Sequence, residues 1–340
     1  MKYLITGGVG FIGVNFARKL AQEGHQVIIL DNLSRGMVGE NLNWIIKAFP
    51  DSVQFLYADI RSDFDKLCRV IDEVDVVYHL AGQVAVTTSV ASPREDFEIN
   101  ALGTFNILEA IRLSESQPVL IFASTNKVYG GMENIKISEL STRYSFEKYP
   151  NGIPETMKLD FHSPYGCSKG SADQYVVDYS RIYGLKTVVM RQSCIYGTRQ
   201  FGVEDQGWVA WFSIASATNK PITIYGDGKQ VRDILFVDDL YNAFDLAVRN
   251  IHKVSGMAFN IGGGRDNTLS LLELLDILET KLERKINYGF SDWRPGDQPV
   301  YISDISLIRE QLGWEPAISP SDGVDLLLSW TRENIHFFLD

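Results

Sequence analysis

Cysteine is scarce: Cys68, Cys167 and Cys194 are the three in 340 residues, and they stand far apart. That argues against a disulfide scaffold or a thiolate metal set, so no metal is expected, and it suits a reducing compartment. No apolar run is long enough to span a bilayer, so no membrane partner is expected. Nor does a basic stretch precede an apolar one near Met1, so no secretory signal is expected and a cytoplasmic location is. Positive charge is short as well: 32 Lys and Arg face 43 Asp and Glu, for a net charge of −11. Nucleic-acid binding normally leaves a basic footprint, so that partner is not expected either. An anionic ligand must be held by local cations against this field, with Arg191, Arg199, Arg232 and Arg294 as candidates. Repeats and low-complexity blocks are missing, and 45% hydrophobic content is ample for a large folded core.

What is present is alternation. Uninterrupted apolar runs at 2–6, 26–30, 53–57, 75–80, 119–123 and 186–191 predict strands, separated by helical stretches that include 11–22, 63–73 and 93–113. Apolar strands alternating with helices predict an α/β fold, with a doubly wound parallel sheet covered on both faces. After Gly197 the rhythm breaks. A helix is expected at 238–248, a strand at 258–261, and helices at 269–282, 305–312 and 320–333. This reads as a smaller C-terminal lobe, with part of the chain returning to the sheet. Residues 131–163 are polar and aperiodic, and a loop of that length in a compact domain is usually a binding loop or lid.

Gly7, Gly10 and Gly13 are spaced G-x-x-G-x-x-G between the first strand and the first helix. Glycines there permit a tight turn, close approach of backbone to a pyrophosphate, and close helix–strand packing. The helix N-terminus supplies free N–H groups for the phosphates. Three glycines alone merely make a turn, but the second strand ends in Asp31, 18 residues past Gly13. Its carboxylate suits the adenosine ribose hydroxyls and repels a 2′-phosphate, which favours NAD over NADP. Arg35 nearby is the one feature pointing the other way. Asp59 and Ile60 lie just past the third strand, at the adenine end. Leu80, Ala81 and Gln83 follow the fourth, near the phosphates and the nicotinamide ribose. His79, inside an apolar strand, reads as structural.

Tyr165 and Lys169 open a predicted helix one turn apart, on one face. An ammonium beside a phenol favours its ionised form, which makes a tyrosine usable as a base near neutral pH. Thr125 ends a central strand at the carboxyl edge, where ligands sit in open α/β sheets.

Taken in order, the glycine loop, Asp31, Ser124-Thr125-Asn126-Lys127-Val128-Tyr129-Gly130 and Tyr165-x-x-x-Lys169 resemble the extended short-chain dehydrogenase/reductase family, of its NAD-dependent epimerase/dehydratase type. The resemblance spans the chain. It implies a Rossmann-type NAD-binding domain at 1–196 and 232–263, and a nucleotide-sugar-binding lobe at 197–231 and 264–340. It implies Thr125, Tyr165 and Lys169 as the catalytic set, with Tyr165 as acid/base and Lys169 on the nicotinamide ribose. Tightly bound NAD would touch Gly7, Gly10, Phe11, Ile12, Gly13, Asp31, Asn32, Ser34, Arg35, Asp59, Ile60, Leu80, Ala81, Gln83 and Asn100. Val231-Arg232-Asp233 and Arg294-Pro295-Gly296-Asp297 resemble the family's nucleotide-sugar contacts. Arg232 and Arg294 would then clamp the diphosphate, Tyr225 would lie near the base, and Ser89, His162 and Gln206 would line the sugar pocket.

The longer runs 81–89, 124–130, 160–169 and 205–209 resemble the family's CDP-sugar 2-epimerases. That implies inversion at C2 of a CDP-sugar, paratose giving tyvelose, through a transient 2-keto sugar. Cytosine rests on the resemblance alone, and glucose stays open as the sugar. The related 4,6-dehydratases carry an Asp-Glu pair after the same Thr; Asn126-Lys127 cannot supply that acid. A UDP-hexose 4-epimerase and a nucleotide-sugar 4-reductase are the alternatives. An NAD-sensing scaffold without activity would require a damaged catalytic set, and Thr125, Tyr165 and Lys169 are all present. Trp208, Trp211 and Phe212 read as packing, with Trp208 near the pocket rim. The helices around 93–113 and 165–182 resemble those of a four-helix interface in relatives, which implies a homodimer or homotetramer.

Overall fold

The computed structural model describes residues 1–294 and 297–339. Pro295 and Gly296 of the Arg294–Asp297 motif lie outside the described residues. Seven parallel strands form the main sheet, in the order Ala258–Ile261, Thr187–Gln192, Val119–Thr125, Val76–His79, Lys2–Thr6, Gln26–Asp31 and Val53–Tyr57. The chain starts in the middle, runs out to one edge, then returns beside its first strand and runs to the other. The reversal lies between Lys2–Thr6 and Val76–His79, and crevices outside the carboxyl ends at such a point are where ligands bind.

The strands read as continuous apolar runs because both faces are covered. Alternate residues serve opposite cores. Ile5, Ile29, Tyr78, Ile121 and Met190 belong to one core, which includes Phe16 of the helix Phe11–Gln22 and Phe244 of Val237–Arg249. Leu4, Ile28, Val77, Leu120 and Val189 belong to the other, with Leu67, Ile107 and Val176 from the helices Phe64–Ile71, Gly103–Leu113 and Ser163–Tyr183.

The stretch expected as one helix at 93–113 is broken. Pro93–Phe97 and Gly103–Leu113 are α-helical, and Glu98–Leu102 between them is a wider π turn. A Cβ on Gly103 would lie 2.4 Å from Ile60 Cδ1, so a side chain there would require Ile60 to move. Such turns cluster at functional sites, and this one carries Asn100. The helices Val38–Ala48 and Trp208–Thr218 were not foreseen. The second is apolar nearly all round, because it is wedged between neighbours, and so shows no amphipathic period.

Beside the main sheet, Val231–Phe236 pairs with Thr268–Ser270, Val300–Tyr301 and Cys194–Tyr196. The return to the large sheet, expected at 232–263, consists of the helix Val237–Arg249 and the strand Ala258–Ile261. Residues 131–163 hold a short antiparallel hairpin, Ile137–Glu139 with Tyr144–Phe146. Among the described residues no helix is long and apolar enough to cross a membrane, and no group of three or more His, Cys, Asp or Glu is placed to hold a metal ion.

Candidate active site

A cleft of about 460 Å³ runs along the carboxyl edge of the sheet. The glycine loop forms its floor. Gly7 has φ +66°, and a Cβ there would lie 2.8 Å from the Ala81 backbone. A Cβ on Gly13 would lie 2.6 Å from the Gly7 carbonyl oxygen. These two glycines let the loop, the next strand end and the helix close on one another. Gly10 precedes the helix Phe11–Gln22 with no side-chain cap. The first N–H groups of that helix therefore lack intrahelical acceptors and face the cleft as donors.

At one end Asp31 accepts the N–H groups of Leu33 at 2.9 Å and Val9 at 3.2 Å. Burial pushes its carboxyl upward; those two bonds and Arg35 pull it down. Asn32 donates to Asp59 at 2.9 Å, and Arg61 chiefly holds Asp59 down at about 2. Asp59 therefore stays charged at neutral pH. Phe11, Ile12, Ser34, Arg35, Ile60, Leu80 and Gln83 line the same cleft. Asn100 lies beneath it and binds both backbone polar groups of Gln83, at 2.9 and 3.2 Å. That is the bay a dinucleotide needs: tight glycine floor, helix N-terminus in the middle and carboxylate at the far end.

Tyr165 and Lys169 reach the cleft from the first turns of Ser163–Tyr183. Both are buried. Burial pushes the Tyr165 phenol up to about 12, against a hydrogen bond with Thr125 that favours the phenolate, while Asp96 adds to the rise. Burial pulls Lys169 down to about 7, against Asp173 and Asp96, which favour its charge. The spacing predicts that Lys169 lowers the phenol's pKa. In the structure its ammonium instead donates to the Ala123 carbonyl at 2.5 Å and lies 4.2 Å from the centre of the Phe122 ring. Burial decides the acidity of Tyr165, and Thr125 is the group that opposes it.

The substrate set divides. Thr125 is buried at its strand end and accepts the Lys127 N–H at 3.2 Å. Gln206 lies at the cleft's edge, where Arg35 donates to it at 2.5 Å. Arg294 stacks on Tyr225 at 3.8 Å and pairs with Asp205 at 2.8 Å. Arg232 donates to its neighbour's carbonyl, Val231 O, at 2.8 Å. Ser89 is buried and donates to Val86 O at 2.7 Å, away from the cleft lining. His162 is exposed and pairs with Asp160 at 3.3 Å. Arg191, weighed as an anion holder, pairs with buried Asp173 at 2.9 Å and donates to Tyr129 at 3.1 Å. Arg199 lines the cleft and stacks on Trp44 at 3.5 Å.

Two acids beneath the site escaped the sequence reading. Asp173 follows Lys169 by four residues and accepts from Ser124 at 2.7 Å. Its helical spacing was a usable signal. Asp96 accepts from Ser168 at 2.6 Å and Asn100 at 3.1 Å. Nothing in the sequence ties it to Ser168, 72 residues away.

A family model described as GDP-mannose 4,6 dehydratase matches residues 4–327. A CDP-paratose 2-epimerase from Salmonella typhi is 47% identical over 338 residues, covering 97% of this chain and 99% of its own. Among solved structures, UDP-glucose 4-epimerase from Thermotoga maritima with UDP-glucose superposes with a TM-score of 0.84 at 33% identity, covering 98% of this chain and 100% of that one. The Thermus thermophilus UDP-glucose 4-epimerase complex with NAD does so with a TM-score of 0.81 at 30% identity, covering 98% and 99%.

Proposed function

The chain belongs to the GDP-mannose 4,6 dehydratase family of extended short-chain dehydrogenases/reductases, and from that premise we propose that it is a cytoplasmic, NAD-dependent epimerase that inverts C2 of a CDP-sugar, turning CDP-paratose into CDP-tyvelose. What carries this reading is the 47% identity to a CDP-paratose 2-epimerase along 97% of the chain. The catalytic set fits it. Thr125, Tyr165 and Lys169 are intact, and Asn126-Lys127 stand where a dehydratase has its Asp-Glu pair, so elimination of water is disfavoured.

NAD fits the cleft floor described above, where Gly7, Gly10 and Gly13 would hold the pyrophosphate and Asp31 the adenosine ribose; bound there, it supplies reversible hydride exchange with the sugar carbon. Thr125 orients the C2 hydroxyl toward Tyr165. Tyr165 takes the hydroxyl proton as the C–H bond is broken, holds it, and returns it once the 2-keto sugar has presented its other face. Lys169, fixed on Ala123, supplies positive charge beside the nicotinamide ribose. Arg232 and Arg294 keep the nucleotide anchored while the sugar turns.

Incubation with CDP-paratose should invert C2 with no net NADH. Inversion at C4 of a UDP-hexose instead would make the protein a 4-epimerase, and net NAD(P)H consumption would make it a reductase.

A homodimer or homotetramer is part of the same reading. Phe105, Leu102, Leu113, Tyr175, Ile182 and Tyr183 are exposed on two adjacent helical stretches, with Phe105 and Tyr175 in edge contact at 5.9 Å. A joined apolar face of this kind marks an interaction site.

A further inference from the structure

The reaction proposed above leaves one half-buried cation without a task. Lys127 lies two residues past Thr125, on the short 3-10 turn Asn126–Tyr129. Its ammonium reaches Gln298 Oε1 at 3.4 Å, a long contact to a neutral amide. Gln298 is itself buried and donates its other end to the Gly130 carbonyl, so the position of its Oε1 is set. Lys127 has no ion-pair partner among the described residues.

The groups facing it are Arg232 from the strand Val231–Phe236, Asp297, and Cys194 from the next strand of the small sheet. Burial pushes the Cys194 thiol up, which keeps it neutral. Arg232 carries the same charge as Lys127 and likewise forms no ion pair among the described residues. Two cations facing one another, with a single acid in range, cost free energy unless an anion comes between them. Burial first, and then Arg232, pull Lys127 down to about 8. A neutral sugar hydroxyl or ketone would relieve little of this; a diphosphate carries the charge to relieve it. The location agrees. Lys127 stands two residues past Thr125, where the sugar carbon reacts, and lies within electrostatic range of Arg232, assigned to the diphosphate.

We propose that Lys127 holds the sugar-side phosphate of the substrate and so fixes the point about which the sugar pivots. This rests on the nucleotide-sugar reading. It also gives a reason for the exchange of the dehydratase acid at this position: a cation here anchors the phosphate, where an acid would serve elimination.

The test is binding of CDP-glucose, whose diphosphate does not titrate near neutrality, to the wild type, Lys127→Arg and Lys127→Met. Affinity of the wild type should fall by up to about tenfold between about pH 8 and pH 9 and then level off, as Lys127 loses its proton in the free protein. Lys127→Arg, charged throughout, should bind without that fall. Lys127→Met should bind on the order of tenfold more weakly at pH 7, the loss of a charge-assisted bond. Equal pH slopes in wild type and Lys127→Arg, or Lys127→Met binding within about twofold of wild type, would overturn the proposal. If CDP-glucose does not bind the wild type, the pairing of cytidine with glucose fails; the same series on CDP-paratose, or on GDP- or dTDP-glucose, whichever binds, then decides Lys127 separately.

Discussion

The Lys169 ammonium donates to the Ala123 carbonyl at 2.5 Å, which ties the helix Ser163–Tyr183 to the end of the strand Val119–Thr125. Lys169 is therefore a strand-anchored charge, and the group that favours the Tyr165 phenolate is Thr125. This separates two roles that the Tyr-x-x-x-Lys spacing merges.

Thr125→Ala tests the separation. The hydrogen bond between Thr125 and Tyr165 favours the phenolate against burial. Its removal should raise the phenol's pKa further, so the rising limb of kcat against pH moves to higher pH. Turnover at pH 7 should fall by about 100-fold, in the range for a misplaced acid/base. Thr125→Ser keeps the hydroxyl and should stay within about tenfold of wild type. A Thr125→Ala enzyme with the wild-type pH profile would show that Thr125 does not tune Tyr165.

Lys169→Met addresses the other half. Burial is the larger effect on Lys169 and pulls it from 10.5 to about 7. The unfolded chain therefore binds more protons at this side chain between those values, and folding of the wild type gains stability as pH rises from about 7 to about 10. Below that window the folded protein carries the full cost of a buried charge. Replacing Lys169 with Met should remove this dependence while abolishing turnover. The melting-temperature difference, variant minus wild type, should be most positive near pH 7 and shrink toward pH 10. The change in the gap is the readout, because its size also contains the lost Ala123 contact. A gap constant with pH would mean that Lys169 keeps an ordinary pKa.

How much of this was legible beforehand follows from the range over which each feature is encoded. Gly7, Gly10, Gly13 and Asp31 lie within one strand–helix–strand unit, so their local order was enough to single out the floor and the acidic end of the cleft. The sheet was legible because strands buried on both faces are continuous apolar runs, as Leu4 and Ile5 serve opposite cores. The helix Trp208–Thr218 was not, since burial all round erases its period. Asp96 was hidden for a different reason: its meaning comes from Ser168 across a tertiary contact. The Ser89 and His162 assignments came from strings, and a string does not say which way a side chain faces. Ser89 bonds its own turn and His162 pairs at the surface.

Gly7→Ala and Gly24→Ala form a matched pair. Both glycines have positive φ, +66° and +81°, so alanine pays a left-handed backbone penalty of roughly 1–2 kcal/mol at either. Gly24 faces open space, whereas a Cβ at Gly7 meets the Ala81 backbone at 2.8 Å. Gly24→Ala should melt slightly lower and keep NAD affinity. Gly7→Ala should melt lower still and lose most of its NAD affinity, measured by titration, because loop and strand end must separate. Equal affinity in the two variants would remove Gly7 from the cofactor floor.

Tyr175→Glu tests the proposed assembly. Tyr175 is 50% exposed and touches Phe105 edge-on at 5.9 Å, on helical stretches that also expose Leu102, Leu113 and Ile182. In a lone chain a carboxylate at so open a position changes stability by at most about 0.5 kcal/mol. In a two-fold interface the same patch meets its own copy, so each substitution counts twice and the carboxylates enter a desolvated apolar seam. The variant should run as a monomer in light scattering at micromolar concentration, and its melting temperature should fall because association no longer supports folding. Leu326→Glu is the control: Leu326 is 47% exposed on the helix Pro320–Glu333, outside the patch, and its loss should leave the mass unchanged. A wild type that is already monomeric under these conditions, or a Tyr175→Glu protein of wild-type mass, would rule out this face as the interface.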